Sequence, residues 1–205
     1  DIGCPVQKIK IRLPATLTHF GPGLDSLGLA VGLYANVELS PRSDNQLIVE
    51  PEGEGAGHYA IGLRHPVVLG ISRFFQHLQQ TQLGIHIKIK NEIPIQSGLG
   101  AETAFMVAGI IGANNLMGNI YNRSQLIPLC AQLASHQDGA IASFIGGLAT
   151  SIEVDSEIIY RPLPITPFHM ILAVPQISNF KVNQSPDLIA MKDVRHNLRH
   201  SAMLQ

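Results

Sequence analysis

The sequence predicts a mixed α+β fold, and three adjacent stretches indicate it. Residues 84–94, GIHIKIKNEIP, alternate apolar and polar side chains as a half-buried strand does. Residues 66–80, PVVLGISRFFQHLQQ, repeat apolar residues at helical spacing after a proline suited to a first turn. The strand leads into a Gly-Leu-Gly turn at 98–100 and an apolar helix expected to run to about Leu116.

The N-terminal third of the chain is expected to be mostly strand. KIKIRLPAT (8–16) alternates charged and apolar residues and enters a turn at its proline. LGLAVGLYANVELSPRS (27–43) is β-rich until Pro41. QLIVEPEGEGAG (46–57) predicts a short strand that runs into an acidic, glycine-rich loop.

The C-terminal part is predicted to contain a helix from Ser124, a small-residue segment over 138–154, and a strand at FHMILAVP (168–175). Helical material over 185–205 closes the chain without a downstream strand. This ending indicates a fragment, or one chain of a larger unit.

Composition excludes several classes of protein. With 205 residues, 45% hydrophobic and 14% charged, the chain suits one full domain plus part of another. Its 14 basic and 15 acidic residues include no basic run with interleaved aromatics, so nucleic acid is not expected as a partner. Apolar stretches such as 105–113 fall far short of the roughly 20 residues that cross a bilayer. We therefore expect no membrane association and a cytoplasmic location, with Cys4 and Cys130 as free thiols.

NEIPIQSGLGAETAFMVAG, residues 91–109, is the stretch that carries the chemistry. The two glycines that flank Leu99 let main-chain N–H groups face inward, and the helix that follows adds the partial positive charge of its N-terminus. Such a turn can bind an anion. It matches neither GxxxxGK[ST] nor GxGxxG, so a merely structural turn remains an alternative on these residues alone.

Three motifs extend the argument beyond the turn. PIQSGLGAETA (94–104) resembles the Pro-x-x-x-Gly-Leu-Gly-Ser-Ser-Ala phosphate loop of the galactokinase, homoserine kinase and mevalonate kinase superfamily, the GHMP kinases. LPATLTHFGPGLDSLGLAVGLYANVEL (13–39) is similar to a segment near the start of homoserine kinases, and HQDGAIASFIGGLA (136–149) resembles their His-Pro-Asp-Asn motif. The motifs occur in family order, and the resemblance covers about residues 8–150.

The resemblance implies a fold and an activity. It implies a GHMP kinase N-terminal, ATP-binding domain over 5–158 with a left-handed βαβ crossover, and the incomplete beginning of a ferredoxin-like α/β C-terminal domain over 159–205. ATP and Mg²⁺ would be the cofactors, and homoserine or a similar amino acid would be the acceptor, as in threonine biosynthesis. A homodimer is compatible with this expectation.

The resemblance also assigns roles to residues. Nucleotide binding would involve Pro94, Ser97, Gly98, Leu99, Gly100, Ala101, Glu102 and Thr103. Substrate binding would involve His19, Asp25, His136, Asp138 and Gly139, with Asp25 and His136 orienting the acceptor for catalysis. An ordinary loop histidine remains an alternative for His136. Apart from the resemblance, His196 and His200 are spaced to bind a metal, but without a nearby carboxylate or cysteine a solvated or interface pair is favoured.

Several positions depart from the family pattern. Ala101 and Glu102 stand where the family's phosphate loop has two serines. The family's metal-binding glutamate precedes the motif histidine by eight residues, and the same position here, counted back from His136, is Pro128, or Gln132 in a shifted alignment. Asparagines of the first and third motifs become His19 and Gly139, and the arginine that would grip the substrate carboxylate becomes Ser185. A catalytically silent relative that binds a ligand or partner is therefore a second hypothesis.

Glu102 permits two interpretations with opposite consequences. Its carboxylate could accept the free N–H groups of the first helical turn, a contribution of about 0.3–1 kcal/mol, and so compete with a phosphate. It could instead hold the Mg²⁺ and replace the ligand missing at position 128. The sequence leaves both open.

Overall fold

The computed structural model describes residues 8–18, 26–82 and 84–174. In these ranges six strands form one sheet and four helices accompany it. None of these helices is long and apolar enough to span a membrane. The elements follow as β1 (Ile9–Leu17), β2 (Leu27–Arg42), β3 (Leu47–Gly53), α1 (Pro66–His77), β4 (Gly84–Asn91), α2 (Ala101–Leu116), α3 (Arg123–Leu133), α4 (Gln137–Ile145), β5 (Leu148–Val154) and β6 (Glu157–Leu163).

The sheet is built around the long strand β2. The order of paired strands is β3-β4-β2-β5-β6. Strand β1 lies off this path and pairs antiparallel with β2. The C-terminal part of β2 pairs with β4, and residues 27–29 pair with β5. Strands β3 and β4 are parallel and α1 joins them, which makes this segment a βαβ unit.

Period-two alternation decides which side of the sheet is buried. In β1 and β4 the isoleucines face the core, whereas Lys10, Arg12, Lys88 and Lys90 between them are exposed. The buried set includes Ile9, Ile11, Ile85, Ile87 and Ile89. These side chains share one hydrophobic cluster with the buried side chains of α1 and α2.

Helix α2 is enclosed on nearly all sides, and Glu102 in its first turn is its one exposed residue. Two glycines allow its close contact with α1. A Cβ on Gly70 would stand 2.2 Å from the carbonyl oxygen of Met106, and one on Gly109 would stand 2.1 Å from that of Val67. The position of α2 against α1 is therefore fixed by close packing.

The predicted strands and helices before residue 137 are confirmed to within a few residues. The turn predicted at Pro14 is wrong: β1 continues through it to Leu17, with a shift in pairing register between Pro14 and Ala15. The small-residue segment over 138–154 consists of most of α4 and then β5, separated by Gly146 and Gly147. The strand predicted at 168–175 is wrong over 168–174, which are irregular. That segment pairs with none of the six described strands, and Ile171 is 96% exposed. The helix predicted over 185–205 lies outside the described residues.

The fold is of the α+β class that the sequence predicts. Strand β6 crosses the predicted domain boundary after residue 158 and pairs with β5 in the same sheet. The division of the chain into two domains stays a prediction.

Candidate functional site

A cleft of about 270 Å³ opens at the N-terminus of α2. All eight residues predicted to bind nucleotide line it, together with His136. Its lining residues are Tyr59, Pro94, Gln96, Ser97, Gly98, Leu99, Gly100, Ala101, Glu102, Thr103 and His136. The turn after β4, the first turn of α2 and the start of α4 therefore meet at one place.

The main chain of the glycine turn shapes one part of this cleft. Gly98 and Gly100 have φ of 77° and 71°, in the left-handed region that favours glycine. Gly100 is the N-cap of α2 and supplies no side-chain cap, so the first N–H groups of the helix are available to a ligand. The N–H of Thr16 donates to the Leu99 carbonyl oxygen at 2.9 Å, which ties the turn to β1.

Glu102 contacts the loop that precedes α1. Its Oε1 accepts a long hydrogen bond, 3.4 Å, from the Tyr59 hydroxyl. Burial and the neighbouring carboxylate raise the pKa of Tyr59, so the phenol stays protonated as a donor. The Tyr59 ring packs edge-on against His65 and Phe105, with centroids 5.4 and 5.9 Å away. The carboxylate of Glu102 is thus hydrogen bonded to Tyr59.

The beginning of α4 forms the neighbouring part of the site. His136 is its N-cap, is exposed, and lines the cleft. Asp138 and Gly139 are buried behind it, and the Gly139 N–H donates to Asp138 Oδ1 at 2.7 Å. His19 and Asp25, the other residues predicted for the substrate, lie outside the described residues.

Neither position considered for a metal ligand on α3 lines the cleft. Pro128 is inside the helix. Gln132 is exposed, and its amide donates to the Ser156 carbonyl oxygen at 3.4 Å, in the turn between β5 and β6. In this conformation the shifted alignment therefore offers no ligand to the cleft.

The oxygen donors of the cleft decide whether it suits Mg²⁺. Glu102 is the one carboxylate among the described lining residues, and these ranges contain no cluster of three or more His, Cys, Asp or Glu side chains suited to a metal. Mg²⁺ is commonly held by one or two carboxylates together with substrate phosphates. The set fits a cation that shares its coordination with a nucleotide.

Sequence reasoning missed Tyr59 and Gln96 as lining residues. Tyr59 lies in a glycine-rich loop without periodicity, 43 residues before the partner that it contacts, so no local signal identifies it. Gln96 lies inside the predicted loop, and its amide Nε2 is 3.2 Å from Nε2 of His58. These residues reach the cleft because the loop before α1 contacts the glycine turn and the first turn of α2, and that contact depends on the whole fold.

Comparison with known proteins agrees with the motifs. The family model of the GHMP kinases N terminal domain matches residues 67–147. A homoserine kinase of Corynebacterium urealyticum is 32% identical over 208 residues, covering 97% of this chain and 68% of that protein. One of Carboxydothermus hydrogenoformans is 30% identical over 166 residues, covering 81% of this chain and 54% of that protein.

Solved structures show the same relationship. The crystal structure of homoserine kinase from Cytophaga hutchinsonii superimposes with a TM-score of 0.67 at 25% identity, over 81% of this chain and 55% of that chain. The mevalonate kinase of Methanococcus jannaschii has a TM-score of 0.59 at 15% identity, which shows the fold alone. The chain spans about half the length of several of these relatives.

Proposed function

We propose that this chain, which belongs to the homoserine kinase family of GHMP kinases, acts in an ATP-dependent kinase that phosphorylates an amino-acid hydroxyl of the homoserine type. The observation that carries the proposal is one cleft in which the glycine turn, the open N-terminus of α2, Glu102 and His136 converge. Threonine biosynthesis and a cytoplasmic location belong to the same proposal.

The main chain of the turn would hold the phosphates. The N–H groups of Ala101 and Glu102 lie in the first turn of α2, where no intrahelical acceptor exists for them. They would donate to phosphate oxygens, and the helix dipole adds favourable charge. Because main-chain donors need no particular side chain, the replacement of the loop serines by Ala101 and Glu102 leaves this function available.

Glu102 would hold the Mg²⁺. Its carboxylate is exposed at the cleft, and the hydrogen-bond partner that the described residues give it is the Tyr59 hydroxyl, at 3.4 Å. This favours the metal-ligand interpretation over capping of the helix N–H groups. When bound, Mg²⁺ neutralises charge on the phosphate oxygens, which is a large part of catalysis in phosphoryl transfer.

His136 would orient the acceptor hydroxyl. It is an exposed N-cap with no side-chain capping bond, so its ring nitrogens are available to a substrate. Asp138 lies two residues further on, and its Oδ1 accepts from the Gly139 N–H. The position of the acceptor hydroxyl at His136 relative to the phosphates at α2 would then depend on the contact between α2 and α4.

A ligand-binding protein without phosphoryl transfer is the second candidate. One observation favours it: α3 supplies no carboxylate to the cleft, because its sequence contains no Asp or Glu and neither Pro128 nor Gln132 lines the cleft. A single carboxylate can retain a nucleotide–cation complex without stabilising the transferring phosphoryl group well enough for turnover.

The two candidates are separated by a transfer assay on the 205-residue chain. Incubation with ATP, Mg²⁺ and homoserine is followed by phosphorus NMR for O-phosphohomoserine. The proposal expects product, and a loss of about tenfold or more in rate for His136→Gln because the acceptor is no longer oriented. His169→Gln, an exposed histidine that does not line this cleft, is the matched control and should keep the rate. ATP binding without product would support the second candidate instead.

A further inference from the structure

Thr16, near the end of β1, carries an unsatisfied hydroxyl. The residue is 1% exposed, and its Oγ1 has no hydrogen-bond partner in the part of the chain that the structure describes. Buried hydroxyls nearly always have a partner, because one without it loses its bonds to water and gains nothing in return. An exception next to a candidate ligand site points to a ligand as the missing partner.

The hydroxyl lies between two helix N-termini. A Cβ on Gly100, the N-cap of α2, would stand 2.2 Å from Thr16 Oγ1, and one on Gly139, in the first turn of α4, would stand 3.3 Å from it. Glycine at these positions leaves the oxygen in direct contact with both turns. Helix N-termini carry partial positive charge and favour an anion, and the first turns of α2 and α4 also hold the carboxylates of Glu102 and Asp138.

Other hydroxyls of the turn are already engaged or missing. Ser97 Oγ donates to the Pro94 carbonyl oxygen at 2.6 Å, and position 101 is alanine. Thr16 is therefore a hydroxyl donor next to the turn that has no competing acceptor among the described residues. A charge-assisted bond from a hydroxyl to a phosphate oxygen is stronger than one between neutral groups.

We propose that the Thr16 hydroxyl donates a hydrogen bond to a phosphate oxygen bound between the N-termini of α2 and α4. The inference rests on the proposed function, since it takes the cleft as a phosphate site. The oxygen is closed to solvent in this conformation, so the Gly100 turn has to shift for a phosphate to reach it. A glycine at φ 71° has the backbone freedom to make that shift.

The test compares Thr16→Val, which removes the hydroxyl and keeps the branched shape, with Thr16→Ser, which keeps the hydroxyl. Thermal unfolding is measured without ligand, and calorimetry measures the affinity of the full chain for inorganic tripolyphosphate. Thr16→Val should melt higher by about 2–4 °C, because an unsatisfied buried group is gone. It should bind tripolyphosphate about tenfold more weakly. Thr16→Ser should bind within about threefold of the unmodified chain.

Opposite signs for stability and affinity are the signature of a ligand-binding hydroxyl, and a structural role would not produce them. Unchanged tripolyphosphate binding in Thr16→Val, or a lowered melting temperature with unchanged binding, would overturn the inference. If Thr16→Val does not fold, Gly139→Ala replaces it, because its methyl group would crowd the hydroxyl from the α4 side. Gly139→Ala should also lose about tenfold in affinity, and binding equal to that of the unmodified chain would overturn the inference as well.

The transfer assay separates this inference from the proposed function. Tripolyphosphate binding that depends on Thr16, without phosphate transfer to homoserine, would uphold the inference and defeat the kinase proposal. Transfer that is equally fast in Thr16→Val and in the unmodified chain would uphold the kinase and defeat the inference.

Discussion

Two parts of the cleft, the glycine turn and the loop before α1, are held in place by different kinds of contact. The glycine turn is set by its main chain: two left-handed glycines, the Thr16 N–H bonded to Leu99, and a contact with Thr16 that only glycine permits. The part formed by the loop before α1 is set by side chains, since Tyr59 packs against His65 and Phe105 and bonds to Glu102.

This difference explains which substitutions a site of this kind survives. Main-chain donors remain when side chains change, so the turn can keep an anion site although its serine positions hold Ala101 and Glu102. Functions that need a particular side chain are more easily lost, as at Pro128 on α3. If the proposed function holds, the chain therefore keeps the main-chain donors of the site more completely than its side-chain ligands.

The largest expected effect comes from breaking the main-chain part at Gly100. Gly98→Ala and Gly100→Ala both force alanine into positive φ, which costs about 1–2 kcal/mol. No described residue lies within 4 Å of a Cβ on Gly98, whereas a Cβ on Gly100 meets Thr16 Oγ1. Gly100→Ala should lose at least about 3 kcal/mol in the free energy of unfolding, measured by urea denaturation. Equal losses in the two variants would show that the Thr16 contact does not constrain the turn.

A smaller loss of stability, which depends on pH, is expected from His65 in the loop before α1. His65 is buried and caps α1, because its Nδ1 accepts from the Val67 N–H at 3.3 Å. Burial lowers the pKa of His65 to about 4. As the pH falls from about 6.5 to 4 the unfolded chain takes up the proton first, so stability drops across that window, by up to about 3 kcal/mol.

Urea denaturation at several pH values checks this prediction, with His65→Asn as the comparison. Asparagine also caps a helix but does not titrate. The variant should lose less stability than the unmodified chain between pH 6.5 and 4. Parallel pH profiles for the two proteins would show that His65 is not the titrating group.

The features of this molecule that could be predicted from the sequence are those that local sequence patterns encode. Isoleucine alternation in β4 and helical spacing in α1 are local signals, and the glycine turn lies between β4 and α2 in sequence. The strand predicted at 168–175 failed over 168–174 because strand formation depends on a neighbour, and the described sheet ends at β6. Tyr59 and the unsatisfied Thr16 hydroxyl depend on contacts between distant segments, which no local pattern reports.

Glu102 joins the two parts of the cleft, and titration of the 205-residue chain with ATP, with and without Mg²⁺, tests its role most directly. If the carboxylate holds the cation, Mg²⁺ should strengthen ATP binding about tenfold or more in the unmodified chain, and by less than about threefold in Glu102→Ser. If the unmodified chain binds no ATP and Glu102→Ser does, the carboxylate blocks the phosphate site, and the proposed role of Glu102 is contradicted.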